Sequence, residues 1–344
     1  MINKFIGCLL GGAVGDALGA PVEFMKRAEI IRRFGSQGIT QYALAYGGLG
    51  FITDDTQMTL FTAEGMLNGY LCHSLSGMID YQKSLSQAYL RWLMTQGEQP
   101  VNRIDLDQQP SSWLINQPQL HHRRAPGLTC LSALLAMTDE MKLAHNNSKG
   151  CGGVMRVAPI GLFASRQPDV DSFELGIVAA ALTHGHPTGS LTAGVFSQLI
   201  HSIIEGFNLV DALSMAKNKL ITYQNHEETL LAIERAEKLA CSNLIPEQAI
   251  AQLGEGWVAE EALAISIYCS LIAKSFEEAL IIAVNHDGDS DSTGAITGNI
   301  LGALQGVSVI PSEWLEHLEL REVIKKLATD LYDFPNWNTD RLSS

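Results

Sequence analysis

The chain has 344 residues, of which 46% are hydrophobic and only 17% charged, a balance that excludes disorder for nearly all of it and calls for a large core. The formal net charge of -14 excludes a nucleic-acid backbone or an anionic membrane as the main partner. An acidic chain can still take a phosphorylated ligand where backbone N–H groups and cations supply the positive field.

The first element spans residues 2–19, apolar and small, with Gly11, Gly15 and Gly19 four apart. That spacing lines the glycines along one row of a helix. Lys4 and the apolar stretch after it imitate a secretory leader, but Asp16 interrupts the pattern. No run is long enough to cross a bilayer. The helix breaks at Ala20-Pro21 and leaves Glu23 in a loop, where a lone glutamate is ordinarily a solvated side chain.

Residues 26–50 are basic and then glycine-rich, a long loop with one short helix. Thr53, Asp54, Asp55 and Thr56 then open an apolar-periodic helix. One oxygen acceptor is enough for a cap, so the second carboxylate asks for another explanation. Residues 78–96 form an amphipathic helix. The polar stretch 97–127 is too long for a plain connection and reads as a lid or rim. There Trp113, His121, His122, Arg123 and Arg124 either meet a ligand or are simply solvated.

A helix over residues 129–137 precedes the loop Ser148, Lys149, Gly150, Cys151, Gly152, Gly153, which runs straight into a helical pattern. N–H groups at such a junction suit an anion such as a diphosphate. Arg156 is either a salt bridge at the core edge or a ligand contact. Two helices follow, separated by Thr183, His184, Gly185, His186 and Pro187. That histidine pair has no third nitrogen or sulfur ligand nearby, which favours capping or ribose contact over a transition metal.

Residues 209–286 are helical, with segments at 209–221, 226–241, 246–253 and 258–286, the last broken near Ser275. Next comes HDGDSDSTGAITGNILGALQG, residues 286–306. Asp289 and Asp291 stand in its Gly/Ser-rich turn, and Gly294, Gly298, Gly302 and Gly306 repeat every fourth position behind them. Each helical glycine gives up about 1 kcal/mol relative to alanine, so a close partner along that row must compensate. The glycine row of residues 2–19 is the natural candidate. Asp289 and Asp291 can be a helix cap and a first-turn acid, or oxygen ligands for a hard divalent cation.

One or two helices close the chain. No alternating β-branched run, fixed-period repeat or linker appears, so the expectation is an all-α fold in a single compact multi-helix domain. Cys8, Cys72, Cys130, Cys151, Cys241 and Cys269 form no CxxC pair and read as reduced thiols of a cytoplasmic protein. The acids outside ordinary helix surfaces are Glu23, Asp54, Asp55, Asp289 and Asp291. If they converge they repel one another unless cations neutralise them, and two magnesium-type ions would do so.

The stretches GCLLGGAVGDALGAPVEF from Gly7, TDDTQMTL from Thr53, GGVMRVAPIGL from Gly152, THGHPTG from Thr183 and GDSDSTGAITGNILGALQG from Gly288 resemble, in order and across most of the chain, the ADP-ribosylglycohydrolases. The resemblance implies an all-α domain with a binuclear magnesium centre in a cleft, manganese being an alternative ion. It implies metal ligation by Thr53, Asp54, Asp55, Asp289, Asp291 and Ser292, with Glu23 reaching the centre and the catalytic set drawn from Glu23, Asp54, Asp55 and Asp291. Ser148, Gly150, Gly152 and Gly153 would face the diphosphate, with His184 as a further substrate contact. Asp105 and Asp107 could add another acid. The implied reaction removes ADP-ribose from a protein side chain, foremost arginine. The alternatives are a serine-linked or O-acetyl conjugate, and an immunity protein that blocks an ADP-ribosylating toxin.

Overall fold

The computed structural model describes residues 1–76, 80–101 and 113–337. Among these, every regular element is helical, and the only β-type pairings are the isolated bridges Ala45 with Gly48 and Gly150 with Val258. The all-α expectation holds.

Two glycine-rich helices form the axis. Helix α1 (Ile2–Gly19) is buried from Phe5 onward, and α14 (Ser290–Gln305) is buried up to Ala303. Neither has one apolar stripe, because both are enclosed on all sides. Their backbones meet where side chains are missing: Gly7 faces Gly302, Gly11 faces Gly298, and Gly15 faces Gly294. A Cβ on Gly7 would lie 2.5 Å from the Gly302 carbonyl oxygen, and one on Gly19 would lie 2.5 Å from the Asp291 amide nitrogen. Asn299 Nδ2 donates to the Cys8 carbonyl at 2.8 Å and fixes the register. The late glycine row stops one residue short of expectation. Gly306 caps α14 at φ 83°, a backbone region that favours glycine, instead of extending the helix.

The remaining helices surround this pair. In order they are α2 (Arg27–Phe34), α3 (Asp54–Ser76), α4 (Tyr81–Thr95), α5 (Leu128–Leu135), α6 (Ala158–Ala164), α7 (Ser172–Ala181), α8 (Pro187–Ile204), α9 (Leu209–Leu220), α10 (Glu227–Ala240), α11 (Pro246–Leu253), α12 (Ala259–Ile272), α13 (Phe276–Val284), α15 (Ser312–His317) and α16 (Arg321–Asp333). Helices α12, α13 and α16 pack on the central pair, and α3 lies against α4 and α6. One continuous apolar core runs through all of them. Among the described residues no helix is long and apolar enough to cross a membrane, and no disulfide joins the cysteines.

Three local expectations are corrected. The Ser148–Gly153 loop does not run into a helix: Cys151–Gly153 make one 3-10 turn, and α6 begins only at Ala158, with Pro159 in its first turn. Arg156 makes no salt bridge among the described residues. It is fully buried, donates to the Ala179 carbonyl at 2.8 Å and the Thr183 hydroxyl at 2.7 Å, and lies 4.1 Å over the Tyr89 ring. Arg124 is not a solvated rim residue but is buried against Glu319, with Nη1 donating to the Ile52 carbonyl at 2.9 Å. Asp105 and Asp107, and the start assigned to the helix at residue 78, lie outside the described residues.

Candidate functional site

The acidic residues are brought together by the ends of three segments. Helix α14 begins at Ser290, with Asp289 as its N-cap accepting from the Ser292 amide at 3.4 Å. The capping reading of Asp289 is therefore correct. Asp291, in the first turn, accepts from the same amide at 3.0 Å. Glu23 lies in the turn after α1, four residues past Gly19. An oxygen of Glu23, one of Asp289 and one of Asp291 all lie within 4.8 Å of one another. Glu23 is buried, contrary to the solvated reading of a loop acid.

The third segment is the start of α3, held by a residue that sequence reasoning passed over. Asp16, fully buried in α1, accepts from the Thr53 amide at 3.0 Å, the Thr56 amide at 3.1 Å and the Thr56 hydroxyl at 2.5 Å. This carboxylate performs the capping that the TDDT sequence suggested Asp54 or Asp55 would do, and both are left free to face inward. Thr53 Oγ1 accepts from the Asp55 amide at 3.3 Å. Asp54 Oδ2 accepts from the Gly127 amide at 3.1 Å. The only signal for Asp16 was a charged residue in an otherwise apolar, glycine-rich helix.

These groups border a cavity of about 490 Å³. Glu23, Asp54, Asp55, Asp289 and Ser292 line it on the acidic side, and Gly150, Gly152 and His184 on the other. Thr53 and Asp291 stand buried just behind this wall. Ser148 sits one layer out, with its hydroxyl 3.0 Å from that of the lining residue Thr129. Gly153 is buried under the His184 ring, where a Cβ would come within 3.3 Å of Nδ1. The loop glycines thus serve the close approach of an imidazole. Burial, with the Arg156 charge nearby, pushes His184 down to about 3, so the ring is neutral. His186 caps α8, accepting from the Thr188 amide at 3.2 Å.

Among the described residues no lysine or arginine lines the cavity. Lys149 instead points at Glu228 and Glu260. Burial, and next the charge of Asp291, drives Asp54, Asp55 and Asp289 well above the usual carboxylate range. The same causes push Glu23 up to about 12 and Asp16 up to about 7. Glu23 Oε2 and Asp55 Oδ1 are buried without any hydrogen-bond partner. Buried carboxylate oxygens are costly when unpaired, and an all-oxygen donor set with free lone pairs fits a hard divalent cation. A thiol stands beside this set, with Cys151 Sγ donating to Asp289 Oδ2 at 2.7 Å.

The mouth of the cavity carries two aromatics that the sequence patterns did not single out as a pair. Phe24 and Trp257 stack with ring centroids 5.9 Å apart and planes at 17°. Of the rim residues proposed from the 97–127 stretch, none lines the cavity. The segment immediately after them, Ala125 to Cys130, does.

A family model described as ADP-ribosylglycohydrolase matches residues 1–340. The chain is similar to the ADP-ribosyl-dinitrogen reductase glycohydrolase of Rhodospirillum rubrum, at 26% identity over 93% of this chain and 91% of that protein. It is similar also to the ADP-ribosylarginine hydrolase Tri1 of Pseudomonas putida (strain GB-1), at 27% identity over 96% of this chain and 78% of that protein. A solved structure titled ADP-ribosylglycohydrolase-related protein complex superposes with a TM-score of 0.69 at 26% identity, covering 100% of this chain and 99% of the other.

Proposed function

The chain belongs to the ADP-ribosylglycohydrolase family, and with it to the hydrolases of ADP-ribosylated substrates; from that premise we propose that it is a magnesium-dependent enzyme that releases ADP-ribose from ADP-ribosylarginine in a modified protein. The observation that carries the reading is the set of buried carboxylates at one cavity, two of them with unpartnered oxygens and with no lysine or arginine among the described lining residues. The name of the Pseudomonas putida relative supports arginine as the modified side chain.

The residues that would hold two ions are Thr53, Asp54, Asp55, Asp289, Asp291 and Ser292, with Glu23 reaching the same space. Magnesium, or manganese with its similar oxygen preference, would neutralise these carboxylates and bind the hydroxyls of the distal ribose when present. The protein's own groups do the rest. With cations neutralising the carboxylates around it, Glu23, whose Oε2 has no other partner, would take a proton from the attacking water. Asp54 and Asp55, which line the cavity, with Asp291 behind them, would stabilise positive charge developing at the anomeric carbon. Gly150 and Gly152, with neutral His184 behind them, give the diphosphate a wall that it can approach closely without a buried countercharge.

The test is release of free ADP-ribose from an arginine-ADP-ribosylated protein, with magnesium and with a chelator, using wild type, Asp291→Ala and the gentler Asp55→Asn. Metal-dependent release that is lost in both folded variants is the expected result. A folded, magnesium-binding wild type that releases nothing from arginine would overturn the substrate assignment and move the search to serine-linked and O-acetyl conjugates.

A further inference from the structure

Phe24 is 71% exposed and Trp257 39% exposed, yet both border the same cavity as the acidic cluster and stack on each other at its mouth. An exposed phenylalanine beside a buried glutamate invites a functional account, because burying its ring elsewhere would stabilise the fold. Both aromatics are tied to the acid-bearing segments. Phe24 is the residue after Glu23. Trp257 accepts at its carbonyl from the Cys151 amide at 3.1 Å, and the neighbouring Glu255 carbonyl accepts from the Asp289 amide at 2.8 Å. The indole N–H donates to Glu255 Oε2 at 3.2 Å, which holds the ring in place, while the other oxygen of that carboxylate pairs with Lys26 Nζ at 2.6 Å.

We infer that Phe24 and Trp257 form the recognition surface for the cationic side chain that carries the ADP-ribose, binding a guanidinium on the open aromatic face. The inference rests on the hydrolase reading of the site and specifies what selects its substrate. A planar, weakly hydrated guanidinium is drawn to an aromatic face, and Arg uses such faces more than Lys does. An ether-linked serine offers no charge to this surface. Position decides between the side chain and the adenine base, which would also stack. Glu23 reaches within 4.8 Å of Asp289 and Asp291 oxygens, and Phe24 is one residue, about 3.8 Å along the chain, from it. The pair therefore flanks the end of the cleft where the glycosidic bond lies. The adenine is a diphosphate and a second ribose away.

The experiment uses agmatine as a guanidino probe in the presence of saturating ADP-ribose, followed by tryptophan fluorescence and calorimetry, alongside the Kd for ADP-ribose alone. Wild type binds agmatine. Phe24→Leu, which keeps an apolar side chain but removes the π face, weakens agmatine roughly three- to thirty-fold, the range expected for a cation over an aromatic ring. Trp257→Phe removes the fluorescence response and retains most of the binding. In both variants the Kd for ADP-ribose stays within about twofold of wild type. Absence of agmatine binding to wild type overturns the inference even if arginine conjugates are hydrolysed. Agmatine binding without any hydrolysis of arginine conjugates overturns the proposed function and leaves the surface standing. An equal loss of ADP-ribose affinity in Phe24→Leu assigns the pair to the nucleotide and refutes the inference.

Discussion

Adding one methyl group at either end of α1 separates what the glycine row does for stability from what it does for chemistry. In Gly7→Ala the new Cβ would stand 2.5 Å from the Gly302 carbonyl oxygen, and in Gly19→Ala 2.5 Å from the Asp291 amide nitrogen, where ordinary contact begins at 3.4 Å. Each contact must open by about 0.9 Å, the difference between those distances. The obstructing atoms are backbone and cannot rotate aside, so the overpacking cost falls toward the upper end of about 1–3 kcal/mol. Alanine returns about 1 kcal/mol of helix propensity at Gly7, and less at Gly19, the last residue of α1. A net loss of about 1–2 kcal/mol follows for each variant, read as a lowered denaturant midpoint with unchanged slope. Function should divide them. The two sites are twelve residues apart, about 18 Å along the helix. Only Gly19→Ala pushes directly on Asp291, and a displacement near 1 Å can cost about 10²-fold in rate. The assay is magnesium affinity by calorimetry together with ADP-ribose release. A Gly7→Ala protein as stable as wild type would refute the claim that the glycines exist for backbone approach. Equal functional loss in both variants would refute the local route to the site.

The acidic cluster makes a second prediction, with a definite sign. Without a cation, burial holds these carboxyls above their ordinary range, Asp16 at about 7, so the folded state binds more protons than the unfolded one between about pH 4 and pH 7. Metal-free stability therefore falls as pH rises through that window. Magnesium must displace those protons, so its effect on Tm is expected to be larger near pH 8 than near pH 5; a shift independent of pH would count against cation binding at these acids. Asp16→Asn leaves at least one of the Thr53 and Thr56 donors facing an N–H₂ group, at a cost of about 1–3 kcal/mol. Magnesium affinity should fall with it, because Asp54 and Asp55 lose the anchor of their helix start, and calorimetry on the folded variant checks this.

Much of this arrangement was legible because glycine spacing and helix starts are local signals. The two glycine rows gave the central helix pair, and acids in excess of capping need marked the starts of α3 and α14. Several features were not legible because they depend on contacts between distant segments. Glu23 looks solvated until α1 and α14 enclose it. Arg124 looks like a rim residue until Glu319, far along the chain, arrives beside it. The SKGCGG loop resembles an anion cradle at a helix start, but Pro159 delays the helix and the glycines make room for His184.

Asp16 shows most directly how the site depends on the fold. A carboxylate in the middle of a fully enclosed helix costs several kcal/mol in desolvation unless donors surround it. Here the donors are the amides and hydroxyl at the start of α3, so one charge settles two needs. It satisfies the orphan N–H groups of a helix end and frees Asp54 and Asp55 from capping. The same helix, through Gly19, sets the distance to Asp291, and through Phe24, just past its end, reaches the mouth of the cavity. The acids of α3 and α14 are thus positioned by a single buried element that carries none of the proposed ligands, and changes within α1 should alter cation affinity without touching any of them.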